Sequence, residues 1–152
     1  MRSLFLFASC FIAGLAVSLA ICHGDDSRPS APLRATASAD TSEVHTDSVF
    51  EVTLTLENLT DSAQKIKIPD RGWDRVWKSS NRHVTWDPWD CEEDRDITIE
   101  IPPHQTYVFP KPLRMFVDTS VRKSSIAFRM GFRTVLFGRT LWSSPITLDV
   151  IP

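Results

Sequence analysis

Four tryptophans, Trp73, Trp77, Trp86 and Trp89, fall within one short stretch, and a fifth, Trp142, stands far along the chain. An indole carries a large apolar area and one N–H, so it serves as core filling or as the anchor of a binding surface. Trp77 and Trp86 lie on the two arms of a predicted hairpin, where they can pair across it. Trp73 and Trp89 fall in predicted loops, a place that core packing explains less readily. Exposed on rigid loops, these two would anchor a protein or a sugar ring. Around Trp89 the chain reads Asp-Pro-Trp-Asp-Cys-Glu-Glu-Asp over 87–94, and six acids between Asp87 and Asp96 face only Arg95. Calcium takes about six to eight oxygens and usually a glycine for the sharp turn, and no such glycine or spacing is present. The run therefore reads as a solvated acidic loop or as a docking surface for a basic partner. The candidate binding residues are Trp73, Trp89, Asp90, Glu92, Glu93 and Asp94.

The search for other chemistry is negative. No nucleophile elbow, phosphate-binding glycine loop, paired-histidine zinc motif or dinucleotide fingerprint occurs. His23, His45, His83 and His104 are scattered, and a metal shared by His83 and His104 would need them to converge on a carboxylate. Surface histidines are the plainer reading. No metal, no cofactor and no nucleophile–base pair is expected, and the chain reads as a non-enzyme. The net charge of -2 lacks the basic excess of a general nucleic-acid binder. Charge is uneven, however: Arg114, Arg122, Lys123, Arg129, Arg133 and Arg139 stand against Asp118 in the C-terminal third. Asn58-Leu59-Thr60 is a glycosylation sequon, of consequence only in a eukaryotic source.

Residues 1–22 are expected to be a signal segment. Arg2-Ser3 precedes an uncharged apolar run from Leu4 to Cys22, and a polar, Pro-bearing stretch follows. Small residues at Ser18 and Ala20 place a cut after Ala20. Leu19-Ala20-Ile21-Cys22 also resembles a bacterial lipobox, departing from it at Ile21, so Cys22 is a candidate for lipidation. A retained signal anchor is the third reading, since the run has about the length of a membrane span. Each of these puts the protein outside the cytoplasm, and membrane contact is expected only through that lipid or an uncleaved signal. With Cys10 removed, Cys22 and Cys91 can pair in an oxidising compartment; with Cys22 lipidated, Cys91 is a lone thiol. Residues 23–32 read as a flexible lead-in and 33–152 as one domain.

The elements that must position these residues are strands. From Val49 to Leu59, Phe50, Val52, Leu54 and Leu56 share one parity, with Glu51, Thr53, Thr55 and Glu57 on the other. One face is buried, one is wet, and the buried face requires a second layer. Leu33–Ala39 reads as an edge strand and Asp40–Asp47 as mostly turn. Ala63–Ile68 is expected to return antiparallel and to stop at Pro69. Asp74–Lys78 and His83–Trp86 form the hairpin. Ile97, Ile99 and Ile101 point inward, and Tyr107 and Phe109 resume that parity. Leu113–Val117 is ambiguous. Ile126, Phe128, Met130 and Phe132 alternate, as do Ile146, Leu148 and Val150, with an edge or bulge expected at Pro145. Eight or nine short strands with frequent turns, and no helical period, predict an all-β antiparallel sandwich.

A long VTLTLENLT strand, a Pro-ended second strand, a Trp-bearing hairpin, the turn pair ITIEIPPHQTYVF and the ending WSSPITLDV together resemble the immunoglobulin-like sandwiches of bacterial secreted proteins. The bacterial intracellular proteinase inhibitor domain of BsuPI type is the nearest named example. The resemblance covers Leu33 to Ile151 and is one of layout; it implies an immunoglobulin-like β-sandwich and transfers no inhibitory residue. The expected function is a secreted or envelope-anchored binding module for an extracytoplasmic protein, such as a proteinase. A carbohydrate-binding module is the alternative.

Overall fold

The computed structural model describes residues 31–87, 95–122, 124–133 and 138–151. Thirteen strands run through them: β1 (Leu33–Ala39), β2 (Glu43–His45), β3 (Val49–Asn58), β4 (Gln64–Pro69), β5 (Trp77–Ser79), β6 (Val84–Trp86), β7 (Asp96–Ile101), β8 (Thr106–Val108), β9 (Leu113–Val117), β10 (Ser125–Phe128), β11 (Met130–Arg133), β12 (Thr140–Trp142) and β13 (Ile146–Ile151). The one helical piece among the described residues is a 3-10 turn, Trp73–Val76.

The first layer follows the order β1-β3-β9-β6. β3 is its centre because Phe50, Val52, Leu54 and Leu56 are all buried while Glu51 and Thr53 are exposed, the alternation that a one-face-buried strand demands. β8 and β9 both pair with the same side of β3, with Thr55 opposite Val108 and Val52 opposite Leu113. The register jumps by two residues between these pairs. Pro110 and Pro112 lack the N–H that a continuous ladder would use, so the strand bulges there. Phe109 N–H still donates to Leu54 O at 3.1 Å, and the Phe109 ring turns inward.

The second layer is built on two broken strands. β10 and β11 are separated by Arg129 alone, and β12 and β13 by Ser143-Ser144-Pro145. β11 pairs antiparallel with β12 and with β5, and β10 with β13. Pro145 interrupts the closing strand as expected. Ser143 bridges the gap: its N–H donates to Met130 O at 2.8 Å, and its Oγ accepts from Met130 N–H at 3.0 Å. The layers meet through aromatic side chains. Phe50 and Phe128 are edge-on at 6.1 Å, and Trp77 meets Phe109 at 5.4 Å. The buried residues of both layers form one continuous cluster.

Several expectations are corrected. Asp40–Asp47 contains β2, whose Val44 is buried and which pairs parallel with β13, so the sandwich is not wholly antiparallel. Ala63–Ile68 does not return along β3; β4 pairs instead with β7, joining Ile66 to Ile99 and Ile68 to Ile97. Asp74–Lys78 is half 3-10 turn, half strand. Trp77 and Trp86 do not face each other across a hairpin, because β5 joins β11 in one layer and β6 joins β9 in the other. Leu113–Val117 is a strand burying Leu113, Met115 and Val117. Of the expected core residues, Ile97 and Ile146 are only partly buried.

Candidate functional site

The outer face of the β5-β11-β12 sheet carries the chemistry that the described residues bring together. Alternation along β11 puts Met130 and Phe132 inward and Gly131 and Arg133 outward. In register with them, Lys78 and Trp142 both stand opposite Gly131, and Thr140 opposite Arg133. The missing side chain at Gly131 decides the arrangement. A Cβ there would lie 2.6 Å from Thr140 Cγ2 and 2.7 Å from Trp142 Cζ3, closer than atoms can sit. The Trp142 indole therefore lies flat across the strand, burying Gly131 while staying 40% exposed itself. Lys78 Nζ stands over this ring at 4.8 Å from its centroid, a cation–π contact that fixes both side chains.

Beside this platform lies a groove of about 570 Å³ lined by Arg75, Val76, Lys78, Arg133, Gly138, Arg139 and Thr140. Its lining holds four cations and no carboxylate among the described residues. A second groove of about 330 Å³ continues from it through Arg139 and Thr140, and is walled by Leu33, Ala35, Leu59, Leu141 and Trp142 with Arg34 at the side. Arg34 is paired with Glu57 at 2.5 Å. The other exposed ion pairs, Lys65–Glu100, Arg95–Asp70 and His104–Asp61, do not reach these grooves.

The residues singled out from the sequence stand differently. Trp73 is buried at 3% exposure, a correction to its reading as a loop anchor: the 3-10 turn carries the ring against Phe109, with centroids 4.9 Å apart. Trp89, Asp90, Glu92, Glu93 and Asp94 lie outside the described residues, as do Cys91 and the signal segment with Cys22. The flanks of the acidic run are described. Trp86 Nε1 donates to Asp74 Oδ2 at 3.4 Å, Asp87 is exposed, and Arg95 turns to Asp70 at 3.3 Å. In the sequence Trp142 stands apart from the other tryptophans, and the signal for its role is its partner Gly131, within an otherwise large-residue strand.

Two constellations resemble reactive groups. Ser120 Oγ lies 3.4 Å from His83 Nδ1, with Asp118 close by. Arg82 Nε lies 3.1 Å from His83 Nε2. Asp118 does not orient the imidazole. Its carboxylate takes the Ser120 backbone N–H at 2.7 Å, and that N–H, then the Ser120 hydroxyl, hold it below the ordinary aspartate value, His83 adding a smaller pull. His104 and Asp61 form an exposed pair at 2.7 Å. Among the described residues no group of three metal-ligating side chains converges.

No protein-family model matches the chain, and no curated protein matches it. Among solved structures, it is similar to a FixG-related protein from Vibrio parahaemolyticus, with a TM-score of 0.47 and 13% identity over 80% of this chain and 99% of that one. That is a likeness between two β-rich chains and says nothing of function.

Proposed function

We propose that the mature chain is an extracytoplasmic, non-catalytic binding module of immunoglobulin-like architecture, and that it recognises a protein through the outer face of β5-β11-β12. Support for the architecture comes from two layers, β1-β3-β9-β6 and β5-β11-β12 with β10-β13, in the order of the four- and three-stranded sheets of that fold. One observation carries the choice of surface. Trp142 is an exposed indole held flat over Gly131 and beside Lys78, Arg133 and Arg139, which have no carboxylate partner among the described residues, a rigid anchor with a charged surround. The acidic run with Trp89, Asp90, Glu92, Glu93 and Asp94 is a second candidate contact, and proteinase inhibition, in keeping with the BsuPI-type resemblance, is the first activity to assay.

The test is capture from extracellular extract with the mature domain, its Trp142→Ala variant and its Trp89→Ala variant. The expected result is an unchanged fold for Trp142→Ala with loss of the captured protein. Retained capture by Trp142→Ala rejects this surface. A flat exposed indole also suits a sugar ring, so a glycan-binding module is the second reading, and glycan-array binding lost in Trp142→Ala with no protein captured would favour it. Intact-mass measurement on secreted material tests the compartment: a mass lacking residues 1–20, or one starting at an acylated Cys22, is expected.

A further inference from the structure

We infer that the paired grooves take an acidic segment of a partner protein, led by one aliphatic side chain. This inference rests on the proposed binding role of the same face and names the chemistry of its partner. The two grooves share Arg139 and Thr140, so one ligand can occupy both. Their walls differ in kind. One is apolar, formed by Leu59 and Trp142, each 40% exposed, over a floor of the buried Leu33, Ala35 and Leu141. The other is cationic, with Lys78, Arg133 and Arg139. None of these three cations is paired with a carboxylate among the described residues. An anionic polysaccharide would satisfy the cations but has no aliphatic group for the exposed Leu59. An apolar side chain beside several carboxylates satisfies both, and a polypeptide supplies that pairing within a few residues. The arginine forks can each take a carboxylate in two parallel hydrogen bonds, which gives direction as well as attraction.

The test uses the full mature domain and a labelled peptide of Asp and Glu residues with one leucine at its end, followed by anisotropy at low and high salt. Binding should weaken with salt, fall roughly tenfold or more in Arg133→Glu/Arg139→Glu, and fall again when the peptide leucine is replaced by serine. Both arginines are exposed, and circular dichroism checks that the fold is kept; if the double reversal unfolds, Arg133→Gln/Arg139→Gln tests the same charges. Peptide affinity unchanged by the variants overturns the inference. So does binding of a sulfated dextran, lost in the same variants, with no binding of the peptide. If Trp142→Ala loses its captured protein while the wild type ignores the acidic peptide, the binding role stands and the acidic partner is rejected.

Discussion

Asn58 ends the central strand, and its side chain explains how the chain leaves that strand without orphaned polar groups. The two Nδ2 hydrogens are shared among Ser62 O at 2.8 Å, Ile101 O at 2.9 Å and Pro102 O at 3.0 Å, while Oδ1 accepts from Thr60 N–H at 3.0 Å. It is fully buried, so in the folded protein its amide is no acceptor for a glycan, whatever the sequon suggests. Asn58→Ala leaves these carbonyls without their donor and should cost about 3 kcal/mol, read from urea denaturation. Gly131 offers a second test at this scale. A Cβ at 131 must displace the Trp142 ring, so Gly131→Ala should destabilise by about 1–3 kcal/mol and change the exposure of one tryptophan to acrylamide. Equal quenching in both proteins would mean that the indole does not rest on that backbone. The sequence marks Asn58 only as the first residue of a sequon at the end of the alternating run. It did not show that the amide is buried, because hydrogen-bond partners 43 and 44 residues away leave no local trace.

At the scale of elements, alternation was readable and pairing was not. Parity alone separated Phe50, Val52, Leu54 and Leu56 from their neighbours, and it separated Ile126, Phe128, Met130 and Phe132 equally well. A strand's own pattern carries no label for its partner, which is why β4 was paired with β3 and β5 with β6. Three-residue strands such as β2 have too few positions for alternation to register. Trp73 misled for a related reason: a 3-10 turn buries one ring with no periodic signal around it. Tyr107 on β8 makes the pairing of elements measurable. Burial raises its phenol above the ordinary value of 10.0, and the charge of Asp70, next after β4, adds to this. The folded state then holds the phenolic proton more tightly than the unfolded chain. Stability from this group is complete below pH 10 and is lost as pH rises through the raised value. Urea midpoints of the wild type and Tyr107→Phe should differ by a constant amount up to about pH 9 and diverge above pH 10, with the wild type falling faster. Parallel curves to high pH would show that the phenol is not held in this environment.

Across the whole molecule, the two layers are joined at Phe109, and the bulge explains why. The two prolines that break the ladder let this residue leave the plane of the first sheet. Its ring meets Trp73 at 4.9 Å, Tyr107 and Trp77 at 5.2 and 5.4 Å, and Phe132 at 6.3 Å. Those partners come from the 3-10 turn, from β8 itself and from two strands of the opposite layer. Leu54, by comparison, packs from the middle of one regular strand and is wholly buried there. Both truncations remove apolar volume from one continuous core, so Leu54→Ala should cost about 2–5 kcal/mol and Phe109→Ala about 3–5 kcal/mol. Their side effects should differ. Loss of Phe109 removes the ring packed on both Trp73 and Trp77 and opens space beside them, so native-state fluorescence should shift to the red. Loss of Leu54 removes none of these ring contacts, and the emission should stay where it was. Equal emission spectra for the two variants, with equal destabilisation, would mean that Phe109 is ordinary core filling and that the layers are held by the sheet centres alone.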